Sequence, residues 1–230
     1  MSGSVGPVTP SEGLCVLHLF CHLPGSPDVA AVQAAEKHLV GEGGQLVTVA
    51  LMGHKADVGF VGLSPDMRPL WAFQRACASA GLRLSSSYVS LTELSEYAAG
   101  LPEEMRQARL YPQLPPKGMP AFCFYPMSKR RTAAHNWYAL DFEERKRLML
   151  GHGSVGRTFR SRVLQLITGS TGLDDWEWGV TLFGRQPDDL KACVYEMRFD
   201  EASALYAEFG PFYSGIVGEL ADVLRGEVGS

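Results

Sequence analysis

The sequence predicts an α+β protein made of two tandem ferredoxin-like halves, each ordered βαββαβ, that close side by side into a duplicated α+β barrel. Three observations predict it. Between residues 14 and 91, apolar alternation and helical periodicity follow one another as strand, helix, strand, strand, helix, strand; the same order returns between 121 and 212; and a proline-rich stretch separates the two.

In the first half, Leu14 to Cys21, apolar except for His18, is strand-like, and Pro24 to Pro27 end it. Val29, Val32, Ala35 and Leu39 then recur on one helical face, and Gly41 to Gly44 stop that helix. Strands are predicted over 46–52 and 58–63, a helix over 65–80 and a strand over 82–91. Residues 98–120 carry Pro102, Pro112, Pro115, Pro116 and Pro120 and read as a connection with a short helix around Glu103 to Arg109. In the second half the pattern predicts strands at 121–127, 163–168, 177–183 and 204–212, and helices at 141–159 and 187–197. The domain reading is a disordered tail at 1–12, an N-terminal half at 13–100, a connection at 101–120, a C-terminal half at 121–218 that carries the pocket, and a C-terminal tail at 219–230.

Composition bounds the function. With 230 residues, 46% hydrophobic and 20% charged, the chain can bury a substantial core. Its net charge of −4 and sequence pI near 5.9 argue against nucleic acid or an anionic membrane surface as partner, so an anion would be captured by a local cluster. Five scattered cysteines without a CxxC pair read as buried thiols in a reducing compartment. The N-terminus lacks the basic start and apolar run of a signal peptide, and every apolar stretch is interrupted short of a membrane span, which predicts a cytoplasmic protein. Zinc-protease, P-loop, GxSxG and strand-following GxGxxG patterns are missing, which removes the common hydrolase and nucleotide-binding readings.

Four features could carry chemistry. Asp141 and Glu144 open a helix on which Phe142, Met149, His152, Val155 and Phe159 share one face. His152 there is either a core histidine bonded to a carbonyl or the ligand of a flat metal-bearing molecule. Gly153 and Gly156, each costly in a helix, would leave room for the second. In the strand from Ala121, alternation puts Cys123, Tyr125, Met127 and Lys129 on one face, so a phenol, a thioether and an ammonium stand in a row or a strand end simply leaves the core. Lys129, Arg130 and Arg131 form a basic run suited to solvent or to the carboxylates of a small ligand. Gln165 is the one amide in the apolar strand 163–168, and it faces either a neighbouring polar group or a ligand.

Taken together, Tyr125 to Arg131, Asn136-Trp137-Tyr138, His152-Gly153, Thr168 to Val180 and Tyr195 to Glu201 resemble the haem-dependent chlorite dismutase superfamily, and more narrowly its coproheme decarboxylases. The likeness spans most of 14–218 and is densest in the second half. It implies a pocket for iron coproporphyrin III, at once substrate and redox cofactor, converted to haem b by hydrogen peroxide. It implies His152 as the iron ligand, Tyr125 as the redox-active residue, Lys129 beside a propionate, Met127 and Gln165 on the distal side, and Arg109, Trp137 and Ser203 lining the tetrapyrrole. Pentameric assembly and transient contact with a ferrochelatase are further implications. The neutral Gln165 stands where chlorite-degrading relatives carry an arginine, which argues against chlorite chemistry. Ala139 stands where relatives often have a larger residue. The competing readings are another haem peroxidase or chlorite-degrading enzyme, and a haem-binding protein without catalysis.

Overall fold

The computed structural model describes residues 6–98 and 100–228. The first half comprises β1 (Cys15–His22), α1 (Val29–Gly41), β2 (Gln45–Met52), β3 (Val58–Ser64), α2 (Met67–Ser79) and β4 (Arg83–Thr92). After α3 (Glu103–Leu110), the second half runs β5 (Ala121–Lys129), a 3-10 turn at Trp137–Ala139, α4 (Phe142–Arg157), β6 (Val163–Gly169), β7 (Trp178–Gly184) and α5 (Pro187–Met197). It ends with α6 (Glu201–Tyr206), β8 (Ala207–Phe209), β9 (Tyr213–Gly218) and α7 (Leu220–Arg225).

All strand pairings are antiparallel, in the order β7-β6-β4-β1-β3-β2-β9-β5-β8, and β5 also pairs with β7. That last pairing closes eight strands into a barrel and leaves β8 as a short extension on β5. The halves join at two seams: β2 with β9, from Thr48 opposite Gly218 to Met52 opposite Ser214, and β4 with β6, through Leu91 opposite Gly169 and Thr92 opposite Thr168. This is the predicted pair of ferredoxin-like halves.

The apolar run in β1 has a direct explanation. Val16 and Phe20 point into the barrel with Phe122, Phe124 and Phe183, whereas Cys15, Leu17, Leu19 and Cys21 point outward under α1, α2 and α7. On β5 the same alternation sends Phe122 and Phe124 inward and Cys123 and Tyr125 outward, against Val180, Leu182, Leu190 and Cys193. The outer face of the second half is therefore where the Tyr125 row lies. All five cysteines are free and buried. Among the described residues, no helix is long and apolar enough to cross a membrane.

Three expectations need correction. Residues 204–212 do not form one strand. Asp200 accepts the Ser203 N–H and starts α6, and Gly210 and Pro211 then interrupt the chain between β8 and β9. Residues 219–230 are not a tail throughout, because Leu220, Val223 and Leu224 of α7 are buried in the core of the first half. Of the expected tail at 1–12, residues 1–5 lie outside the described residues. Val8 is docked: its N–H donates to Asp66 Oδ1 at 3.1 Å and its carbonyl accepts from Met67 at 3.0 Å.

Candidate active site

Helix α4 starts as the sequence predicts, with the Asp141 side chain accepting the Glu144 N–H at 2.9 Å. Its packing differs from a core helix. Only Leu148 is buried, Phe142 is exposed, and α4 rests on α5 and α6. His152 is on this helix with a quarter of its side chain accessible. Its Nδ1 lies 3.0 Å from Asp200 Oδ2 and 3.3 Å from Ser203 Oγ. A ring nitrogen that donates to a carboxylate leaves Nε2 as the lone-pair nitrogen, the arrangement that orients histidines toward metals.

Asp200, the partner of His152, is a residue that the sequence did not single out. Its side chain is only 5% exposed. Burial would raise its carboxyl, but bonds from His152 and Ser203 outweigh this and hold it below the ordinary aspartate range. The available signal was an Asp at a helix start, which is usually a cap and nothing more. Here one carboxylate caps α6 and orients His152.

Lys129 ends β5 and is almost fully buried. Its ammonium donates to the Ala202 carbonyl at 3.3 Å and lies 4.4 Å from the centroid of the Trp137 ring. Desolvation lowers its pKa to about 8, against the opposing charges of Asp200 and Glu177. Glu177, also buried, fixes the backbone here by accepting the Lys129 N–H at 2.8 Å, and it pairs with Arg131. Trp137 is packed against Leu148 and Ala202, so the 3-10 turn forms a wall beside the ammonium.

Tyr125 is buried, stacked on Phe212 at 4.5 Å and edge-on to Phe209 at 5.5 Å. No hydrogen bond engages its hydroxyl among the described residues, and burial raises its pKa well above that of an ordinary phenol. Met127 is half-buried two residues on, opposite both Trp178 and Phe209. Gln165, half-buried on β6, donates from Nε2 to the Gly156 carbonyl at 3.2 Å. A Cβ at Gly156 would make ordinary van der Waals contact with that amide, 3.4 Å away, and one at Gly153 would meet only Arg157, so neither neighbour demands a glycine.

These contacts link most of the predicted residues. Lys129 reaches α6 beside Ser203, Ser203 and Asp200 hold His152, and α4 meets Gln165 one turn later, while Trp137 covers Lys129. Tyr125 and Met127 continue the Lys129 row along β5. Arg109 is not brought to this cluster by any hydrogen bond or ion pair among the described residues; it is exposed in the last turn of α3.

The donor set fits an iron tetrapyrrole. Among the described residues no group of three or more histidine, cysteine, aspartate or glutamate side chains could hold a bare metal ion. An iron carried in a porphyrin brings ring nitrogen donors of its own, so a single histidine such as His152 suffices to hold it. Ile167, on the outer face of β6 two residues beyond Gln165, is 44% exposed and offers apolar surface to such a ring.

Residues 28–218 match the family model for chlorite dismutase, and the chain belongs to that family. Within it, the chain is 46% identical over 179 residues to the coproheme decarboxylase of Staphylococcus carnosus, covering 73% of this chain and 70% of that protein. It is 46% identical over 171 residues to the coproheme decarboxylase of Thermus thermophilus, covering 72% and 68%. A protein of Natronomonas pharaonis is 45% identical over 191 residues, 76% of this chain, which spans only 31% of that longer protein. Among solved structures, a heme-binding protein from Thermus thermophilus superposes with a TM-score of 0.79 at 38% identity, covering 98% of this chain and 99% of that one. A chlorite dismutase from Candidatus Nitrospira defluvii shares the fold, with a TM-score of 0.76 at 20% identity and coverage of 95% and 96%.

Proposed function

We propose that the chain removes two propionate carboxyl groups from iron coproporphyrin III, using hydrogen peroxide, to give haem b. The observation that carries this reading is the His152–Asp200 pair on a helix beside the outer sheet face that bears Tyr125, Met127 and Lys129. Kinship with coproheme decarboxylases supports it.

The iron of the bound substrate supplies the means to activate peroxide. His152 holds that iron through Nε2, and Asp200 fixes the imidazole plane. The desolvated phenol of Tyr125 stays protonated, so its hydrogen remains available to leave as an atom. Oxidised at its phenolic oxygen, Tyr125 takes a hydrogen atom from the propionate chain. Each decarboxylation consumes one peroxide and one proton and yields a vinyl group, carbon dioxide and two waters. Lys129 pairs with a propionate, and its lowered pKa suits it to deliver that proton. Gln165, being neutral, offers an anionic oxidant such as chlorite no charge.

The test is to mix the protein with iron coproporphyrin III, titrate peroxide and follow product masses. Stepwise loss of two carboxyl groups is expected. Retention of all four overturns the reading and favours a haem carrier. Oxygen release from chlorite at high turnover would favour the dismutase chemistry instead.

A further inference from the structure

On the flank of α5 away from α4, a cleft of about 670 Å³ opens between that helix and strands β5 and β9. Its walls include Leu190, Val194 and Phe212, and neither Asp200 nor any of the predicted site residues lines it. Three cations, Arg185, Lys191 and Arg198, border it, and no carboxylate side chain is among its lining residues. All three are exposed, and none forms an ion pair with a described residue, although the chain as a whole is acidic. Several other arginines on this half do meet carboxylates: Arg131 with Glu177, Arg147 with Glu144 and Glu201, Arg162 with Asp189.

Apolar walls with an unopposed cationic rim complement one kind of molecule. We propose that this cleft binds an amphipathic carboxylate, an apolar body seated against Leu190, Val194 and Phe212 with its carboxylate at Arg185, Lys191 and Arg198. The shared chemistry could come from a fatty acid or from a carboxylated tetrapyrrole. This site is distinct from the His152 cluster and does not depend on the reaction proposed there.

The probes are dodecanoate, followed by calorimetry, and metal-free protoporphyrin IX, followed by fluorescence; neither carries iron for His152. Saturable binding of dodecanoate alone assigns an acyl ligand, of the porphyrin alone a tetrapyrrole, and of both a site selective for the class. Dodecylamine, with the opposite charge, is expected not to bind. The double variant Lys191→Glu, Arg198→Glu should weaken binding by about tenfold or more, because two attractions become repulsions. Arg160→Glu, away from the cleft, should leave it unchanged. Because the altered side chains are exposed, both variants should keep the wild-type melting temperature. Retained binding in His152→Ala separates this site from the coproheme site. No saturable binding of either probe, equal affinity for dodecylamine, or an unaffected double variant overturns the proposal.

Discussion

Replacing Lys129 with methionine should alter how stability depends on pH, in a direction the structure fixes. The side chain is 6% exposed, and desolvation draws its pKa from 10.5 to about 8 even though Asp200 and Glu177 pull it the other way. That drop corresponds to about 3 kcal/mol by which the charged form is disfavoured in the folded chain. Between pH 8 and 10.5 the unfolded chain binds a proton that the folded chain has released. Stability from this group therefore rises with pH across that window, and its full cost is present below pH 8. Methionine removes the cost, but it also removes the bond to Ala202 and the contact with Trp137, together about 1–2 kcal/mol. At about pH 7 the variant should be about 1–2 kcal/mol more stable than wild type, and near pH 10.5, where the folded amine is neutral and only its bond to Ala202 is lost, about 1 kcal/mol less stable. Urea denaturation of both proteins at several pH values between about 7 and 10.5 measures the difference, in which other titrating groups cancel. A difference that stays constant with pH would refute the burial argument for Lys129. Turnover of coproheme should fall in the same variant, so the stabilisation comes at the expense of function.

Other perturbations probe the remaining links. Tyr125→Phe keeps both ring contacts and removes a hydroxyl without a bonding partner among the described residues, so its stability should match wild type within about 0.5 kcal/mol while decarboxylation is abolished and coproheme still binds. Haem b formation at the normal rate by that variant would remove the redox role from Tyr125. Asp200→Asn retains a good cap for α6 but replaces the carboxylate that orients His152; absorbance titration with iron coproporphyrin III should show affinity weakened about 10–100-fold, and undiminished affinity would separate Asp200 from iron ligation. Leu224→Ala tests whether the C-terminal helix belongs to the first-half core: a loss of about 2–5 kcal/mol is expected in denaturant melts, whereas a true tail would show none.

The sequence by itself determined the order of the elements, because period and punctuation are local. Alternation in β5 placed Tyr125, Met127 and Lys129 on one face, Asp141 announced α4, and the repeated βαββαβ order foretold two halves. Resemblance of the motifs then supplied the kinship with haem proteins. Locality also explains the errors. From Ala204 to Phe212, mixed apolar residues suited a strand, but the Asp200 cap and the Gly210–Pro211 break divide the segment into α6, β8 and β9. Residues 220–225 looked like a tail because a six-residue helix has little pattern of its own and is held by burial against α1 and β2.

Only the tertiary structure supplied the hydrogen-bond partners of His152. Asp200 is 48 residues away in sequence, and its carboxylate meets His152 Nδ1 only because α6 folds back against α4. It likewise set Gln165 against Gly156 and gathered three cations without ion-pair partners among the described residues at one apolar cleft. Spacing along a chain specifies which face a side chain occupies, whereas the charge, burial and hydrogen bonds that give it chemistry come from segments brought beside it by closure of the barrel.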